Sequence, residues 1–412
     1  MTPNPNRAAN QEHALPKSAD VVVIGGGVSG LSTAFQLVKR RAGRVVVLER
    51  KHLGAGASGK SGALVRAHYS NVPESRLTHE SLKIFRNWGE EVGHGDPAMQ
   101  ATGFIRVAAP EDEANLRANV AAMQQIGIET SIVSADDLRE IEPLMRTDDF
   151  NYAAFEPTTG YVDPNATLFG FAEAAVEQGA RIFTGVEATK IVTEGGRVAG
   201  VETADGAIST HQVILAGGPW ADRLLNPLGI DLGLKPYKAQ VVVFRWPVDM
   251  DQRRKHRVVI DSIHHSWLRT EGDASTLIGV EFPDREINPD QLEEFPPADY
   301  VETARRALAA RFPVFEHATM RGGWAGVFMQ SPDDHPIMGP APEVDGLFVI
   351  TGDSGSGFKI GPAVGVIFAE WVTEGAPRLM DMTPFRLTRF AEGKPWIDEF
   401  GYGRAVTNTV SR

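Results

Sequence analysis

Ala19-Asp20-Val21-Val22-Val23-Ile24-Gly25-Gly26-Gly27-Val28-Ser29-Gly30 is a short apolar strand that runs directly into G-x-G-x-x-G, spelled by Gly25, Gly27 and Gly30. Beyond it Leu31, Ala34, Phe35, Leu37 and Val38 recur at helical spacing, and Lys39-Arg40-Arg41 with Gly43 close the helix. A second apolar strand, Val45-Val46-Val47-Leu48, stops on Glu49. Each part has a physical task in binding a dinucleotide. Gly25 permits the tight turn, Gly27 lets a pyrophosphate approach the backbone, and Gly30 lets the helix pack on the strand. The helix N-terminus favours phosphate charge, and a carboxylate about twenty residues on is placed to hold ribose hydroxyls. A glycine-rich turn alone is weak evidence; strand, helix, second strand and terminal acid in register are specific together.

At 412 residues the chain is too long for one compact core, so two domains are expected. With 42% hydrophobic and 23% charged residues, its composition is that of an ordinary globular protein. The net charge of −12 leaves no basic excess to neutralise phosphates, which argues against a nucleic-acid partner. Cysteine is absent, and that removes disulfides, iron–sulfur clusters, thiol catalysis and any cofactor tethered through sulfur. It also suits a reducing cytoplasm, the location expected. Residues 21–38 are uncharged, but their glycines and the switch from strand to helix periodicity argue against an integral membrane span. Residues 1–17 are polar and lack the apolar core of a signal peptide, so they read as a disordered tail.

Three blocks belong together and two interrupt them. Residues 18–100 hold the opening unit, a glycine-rich crossing at 54–62 and a helical stretch over 74–92. Residues 156–225 hold a helix capped by Asp163-Pro164-Asn165, strands near 180–183, 188–193, 197–203 and 212–215, and the turn Ala216-Gly217-Gly218-Pro219-Trp220. Residues 324–390 return to a strand at 347–351, a glycine turn over 352–359 and then a helix. Together these read as a discontinuous, Rossmann-like α/β cofactor domain. The interruptions, 101–155 and 226–323, carry β-branched and aromatic runs at 240–246, 258–260 and 276–280. They read as an α+β substrate domain on an antiparallel sheet, with the active site where the two domains meet. Residues 391–412 read as a C-terminal extension.

Four segments in order, 21–49, 57–69, 213–220 and 332–359, are similar to those of the FAD-dependent amino-acid oxidase family, in its glycine oxidase, sarcosine oxidase and D-amino-acid dehydrogenase branch. The first says only dinucleotide, and a strand ending in Ala-Gly-Gly is shared by many flavoproteins. The last, 331–339 followed by 352–359, is much more particular to this branch. The resemblance spans about residues 18–390 and implies FAD rather than NAD. It also implies non-covalent binding, because Gly326 stands where relatives carry the cysteine that links to flavin. Implied cofactor contacts are Gly25, Gly27, Val28, Ser29, Gly30, Glu49 and Arg50, then the crossing Ser58, Gly59, Lys60, Ser61, Gly62 and Ala63. To these the resemblance adds the Val186 backbone at the adenine, Ala216, Gly217 and Trp220, and the late loop Gly355, Gly357, Phe358 and Lys359.

The resemblance further implies that Arg66 and Lys359 grip the substrate carboxylate. Two such cations would orient the Cα–H toward the flavin, Arg66 as a bidentate fork and Lys359 as a point charge. They lie far apart in the chain, and only the resemblance pairs them. Tyr69 and Trp267 are candidate pocket walls, with core packing as the alternative for each. His264 and His265, in an expected loop of the second domain, are candidates to take up or relay the amine proton, against a plain surface-loop reading. Lys60 is a candidate for direct influence on the flavin, against a loop or phosphate contact. Asp334-His335 reads as a turn under the isoalloxazine; no further ligands stand at metal spacing, so no metal is expected. The family's oxygen-activating lysine has no clear counterpart, the approximate region reading Ser266-Trp267-Leu268-Arg269.

The expected function is oxidation of the C–N bond of a small, N-substituted amino acid by hydride transfer to flavin N5. The imine product would hydrolyse, and O2 or another acceptor would take the electrons. Two alternatives stay open. One is a D-amino-acid or larger-amine dehydrogenase that passes electrons to a quinone or protein. The other is a non-catalytic FAD-binding subunit of a multi-subunit complex, which would bring a subunit partner. A NAD(P)-dependent reductase is disfavoured, because only one full strand–G-x-G-x-x-G unit is present.

Overall fold

The computed structural model describes residues 14–248, 250, 255–282 and 286–402. Strand Val21–Ile24 is wholly buried and sits inside a six-stranded sheet of order 337–340, 347–351, 213–215, 21–24, 45–49, 181–184. All neighbours are parallel except the edge pair 337–340 and 347–351. Both faces of such a sheet are covered, which is why its strands are unbroken Val/Ile/Leu runs rather than alternating ones. Period-two geometry then divides the run. Val21, Val23, Val45 and Val47 pack under helices Val28–Lys39, Pro164–Glu177 and Gly357–Glu374, against Leu31, Phe35, Phe171 and Phe368. Val22, Ile24, Val46 and Leu48 pack under a three-stranded antiparallel sheet through Ile191, Val201 and Ile208.

The second sheet has eight strands, ordered 320–330, 235–245, 275–280, 266–271, 258–261, 104–107, 152–156, 131–134. Its pairs are antiparallel except one: 258–261 runs parallel to 104–107, joining the two interrupting segments. Helix Ala298–Arg311 covers it, with Tyr300, Ala304 and Leu308 packed against Val242, Phe244, Leu268 and Ile278.

Several details differ from the sequence reading. The expected boundary at 324 falls inside strand Met320–Gln330, whose pairing continues to Lys235↔Gln330, so 324–330 belong to the second sheet. The helical stretch over 74–92 is two helices, Val72–Arg86 and Trp88–Glu91, meeting at Asn87, which serves the first as C-cap and the second as N-cap. The late helix starts at Gly357, which puts Phe358 and Lys359 on its first turn rather than in the loop before it. Residues 14–17, expected in the tail, are docked: the Lys17 carbonyl accepts from Ser209 N at 3.0 Å, and Leu15 packs on the sheet cluster. The rest of the expected tail, 1–13, and residues 403–412 of the C-terminal extension lie outside the described residues.

Candidate active site

One cavity is lined from both sheets, by the glycine turn and Glu49 on one side and by Gln240, Ile260, Trp267 and Phe328 on the other. The glycine turn is built for close approach. Gly25 has φ +117°, and a Cβ there would lie 2.2 Å from the Ala216 carbonyl oxygen. A Cβ on Gly30 would lie 2.0 Å from the Gly25 carbonyl oxygen, so the helix seats on the strand only without one. A Cβ on Gly27 would meet only the Ser58 side chain, with its Oγ at 3.0 Å, which leaves the turn's outer surface open to a ligand. Buried Glu49 accepts from Gly26 N and Lys51 N, each at 2.8 Å, one on each carboxylate oxygen. Each oxygen keeps a lone pair for a hydroxyl. Helices Val28–Lys39 and Gly357–Glu374 both start on this cavity, and neither N-cap residue caps its helix with a side chain. Two positive helix ends on one cavity favour anionic groups at two points. These features fit a dinucleotide whose far end reaches the second sheet.

Of the expected cofactor contacts, Gly25, Gly27, Val28, Ser29, Gly30, Glu49, Arg50, Ser58, Lys60, Ser61, Gly62, Ala63, Ala216, Gly217, Trp220, Gly355, Gly357, Phe358 and Lys359 line the cavity. Two do not. Gly59 is turned into its own loop, its N–H bonded to the Gly54 carbonyl at 3.1 Å. Val186 gives its N–H to the Glu49 carbonyl at 2.9 Å, and it is Glu187 and Ala188 that reach the lining.

At the second-sheet end the structure brings Arg66, Tyr69 and Lys359 together. The Arg66 guanidinium lies 4.4 Å from the Tyr69 ring centroid and 5.6 Å from that of Phe104. Lys359 Nζ donates to Tyr69 Oη at 3.1 Å. All three are buried; Arg66 and Lys359 face the cavity, whereas Tyr69 stands behind its lining as a spacer between the cations. Two buried positive groups so close together favour an anion between them. Behind Arg66, burial pushes the Glu156 carboxyl up, while its bond from Ala67 N (3.0 Å) and the Arg66 charge act against the rise. His68 is held well below its ordinary value by burial and by Arg106 and Arg66, so it is neutral.

Trp267 reaches the cavity because two glycines make room for it. A Cβ on Gly62 would lie 2.3 Å from its Cη2, and one on Gly279 2.5 Å from its Nε1. Lys60 lines the cavity, but its ammonium is engaged by Glu294. Gly326 lines the cavity, where a Cβ would meet Lys60 Cβ at 3.2 Å, and with no cysteine in the chain this position has no sulfur for a cysteinyl link.

His264 and His265 stand away from the cavity, contrary to expectation. They form the turn between Val258–Asp261 and Ser266–Glu271, and neither lines the cavity. His264 pairs with Asp149 and His265 with Glu281, each at 3.3 Å, with His265 68% exposed at its side chain. Arg269 faces away too, donating to the Gly62 carbonyl at 2.6 Å and pairing with Glu271. The 334–335 turn also differs from expectation. Pro336 and Met338 line the cavity, but His335 is buried between Glu74 (2.8 Å) and Asp398 (3.3 Å) and stacks on Trp396. One ligand atom from each of Glu74, His335 and Asp398 falls within 4.8 Å, a grouping that spacing along the chain does not show. Both ring nitrogens of His335 are engaged by these carboxylates.

Sequence reasoning missed the walls given by Gln240, Ile260, Tyr300 and Phe328. Alternation in 240–246 and 258–260 could have marked one face, but not which face meets the cofactor side. It also missed Asp290, which bonds Arg50, Trp220 and Arg223 at the cavity rim. Those bonds, that of Arg223 foremost, hold its carboxyl down at about 2.

A parallel-sheet glycine cradle facing a buried pair of cations defines a nucleotide-cofactor enzyme site. Residues 20–371 match the DAO family of FAD dependent oxidoreductases, and the chain belongs to that family; its cofactor is FAD. It is 30% identical over 409 residues to mitochondrial sarcosine dehydrogenase of Mus musculus, which covers 93% of this chain but only 43% of that protein. The chain thus spans less than half the length of that relative. Sarcosine oxidase subunit beta of Rhodobacter capsulatus is 27% identical over 93% of this chain and 91% of its own. The structure of L-proline dehydrogenase from P. horikoshii superposes with a TM-score of 0.85 at 26% identity, over 93% of this chain and all of that one.

Proposed function

We propose that this protein oxidises the C–N bond of a small, N-substituted amino acid whose carboxylate is held between Arg66 and Lys359. One observation carries this: two buried cations, bridged by Tyr69, face the cavity that the FAD cradle opens into. Flavin, when bound, supplies the electron sink for hydride from the substrate Cα. The protein's part is orientation. Arg66 offers a planar fork and Lys359 a point charge from a helix first turn, so the carboxylate is fixed at two points. Trp267, Ile260 and Phe328 supply apolar walls that keep water from competing for the clamp. Names among the relatives add support: sarcosine and proline are both secondary amino acids.

The electron acceptor belongs to the same proposal. Relatives are named both oxidase subunits and dehydrogenases, so O2 and a quinone or protein acceptor are both carried forward, as is a partner subunit. Among the described residues no helix is long and apolar enough to cross a membrane. A cytoplasmic location belongs to the same proposal. The test is to purify the protein with its flavin and add N-methyl, cyclic and D-amino acids without oxygen. Bleaching of the flavin band by an N-substituted amino acid supports the proposal, and readmitted air separates oxidase from dehydrogenase. A band that no amino acid bleaches would refute it in favour of a larger amine or a non-catalytic subunit.

A further inference from the structure

The two arms of the clamp are held very differently. Lys359 rides on an 18-residue helix, Gly357–Glu374, packed through Val364, Ile367 and Phe368. Arg66 follows a strand of only two residues, Leu64–Val65, and 66–69 have no regular structure, so no ladder sets its position. The side-chain restraints come partly from an unexpected source: residues 396–402, beyond the family-matched span of 20–371. Within that segment, Asp398 accepts from Ser70 Oγ and, at 2.9 Å, from Asn71 Nδ2. Tyr402 Oη lies 2.5 Å from Nε2 of His68, the residue between Ala67 and Tyr69. The Tyr402 ring is buried and stacks against the Arg106 guanidinium at 4.5 Å. Burial pushes the Tyr402 hydroxyl up to about 12 and keeps His68 neutral, so their contact persists unchanged across the neutral pH range. Phe400 is tied in turn, its carbonyl accepting from Asn119 Nδ2 at 2.8 Å. The segment therefore grips 68–71 from behind, on the side away from the substrate.

We propose that Tyr402 is a positioning residue for the carboxylate clamp: through His68, and with Asp398 on Ser70 and Asn71, it sets where Arg66 and Tyr69 stand relative to Lys359. It touches no substrate. The inference rests on the amino-acid reading above, because a carboxylate is the group it helps to place. Geometry of this kind matters because a clamp displaced by even about 1 Å forfeits much of its orienting effect.

The test uses the flavin-loaded, 412-residue protein and propionate, a carboxylate without an amine, followed by perturbation of the flavin spectrum. Tyr402→Phe keeps the ring over Arg106 and removes only the hydroxyl; Asp398→Asn and a chain ending at Gly393 probe the rest. The loss of one hydrogen bond predicts a rise of about three- to tenfold in the propionate Kd for Tyr402→Phe. A larger rise is expected for the truncation, with FAD content retained. Anaerobic reduction by N-methylglycine should show the same rise in Kd together with a lower limiting rate. A merely structural role would lower Tm and leave the propionate Kd unchanged, and that result overturns the proposal. Should the truncated chain fail to fold, the two point variants decide. Wild-type protein that does not bind propionate, or binds it equally well as Lys359→Met, overturns the clamp and this inference with it. If Lys359→Met loses propionate while Tyr402→Phe and Asp398→Asn do not, only the positioning role falls.

Discussion

Replacing Lys359 with methionine isolates one arm of the proposed carboxylate clamp. Lys359 is 8% exposed, and its Nζ lies 3.1 Å from Tyr69 Oη and 5.6 Å from the ring centroid. Methionine keeps the unbranched stem and most of the volume, so the helix packed by Val364 and Phe368 has no reason to shift. What disappears is one charge-assisted bond to the substrate, about 1.5–3 kcal/mol, or roughly ten- to 150-fold in Kd. Repulsion between Lys359 and Arg66 disappears as well. Loss of the buried bond to Tyr69 Oη, about 0.5–1.5 kcal/mol, opposes that relief, so the unliganded protein should keep a Tm near that of wild type, and a large fall in Tm would mark a damaged fold instead of a lost clamp. The assay is stopped-flow flavin reduction by N-methylglycine without oxygen, with dimethylamine, which lacks a carboxylate, as the control amine. Lys359→Met should raise the Kd for N-methylglycine within that range, leave any response to dimethylamine untouched and keep FAD content full. An unchanged Kd, or equal losses with both amines, would refute the assignment.

The glycine turn makes a graded prediction. Gly30→Ala puts a Cβ 2.0 Å from the Gly25 carbonyl, so the turn must open by about 1 Å, and the protein should purify with little FAD and a lowered Tm. Gly27→Ala meets only the Ser58 side chain, so FAD affinity should fall while the apoprotein Tm holds; full FAD occupancy in Gly30→Ala would contradict the close-packing account. Acid stability follows from two buried imidazoles. Burial depresses both His68 and His256, with Arg106 and Arg66 adding to the effect at His68. Below about pH 6.5 the unfolded chain takes up protons at these sites and the native protein does not, so stability falls with pH by up to about 1.4 kcal/mol per unit for each, until the native pKa is reached. Urea midpoints between pH 7.5 and 5.5 should fall more steeply for wild type than for His256→Gln; parallel slopes would show that the buried ring is protonated in the native state.

The cradle was legible in the sequence because its constraints are local. Whether Gly25 tolerates φ +117°, whether Gly30 leaves room for a carbonyl, and whether Val21–Ile24 is apolar on both faces depend on residues close together in the chain. The pair of cations proposed as the clamp was not legible in that way. Arg66 and Lys359 have ordinary local contexts, and only resemblance linked them before Tyr69 was seen to bridge them. The readings that failed did so for one reason. His264 and His265 had the right chemistry for proton transfer, but the pairing of Val259 with Leu268 and Asp261 with Ser266 makes them the hairpin's turn and sends Trp267, not a histidine, to the cavity. The boundary at 324 failed because strand 320–330 is one continuous partner of 235–245. His335 had no visible ligand neighbours until Glu74 and Asp398 arrived from opposite ends of the chain. Periodicity and glycine spacing determine backbone conformation and which residues share a face. Which face meets the cofactor, and which distant side chains meet across it, was decided by strand register and long-range packing, and a local pattern carries no record of either.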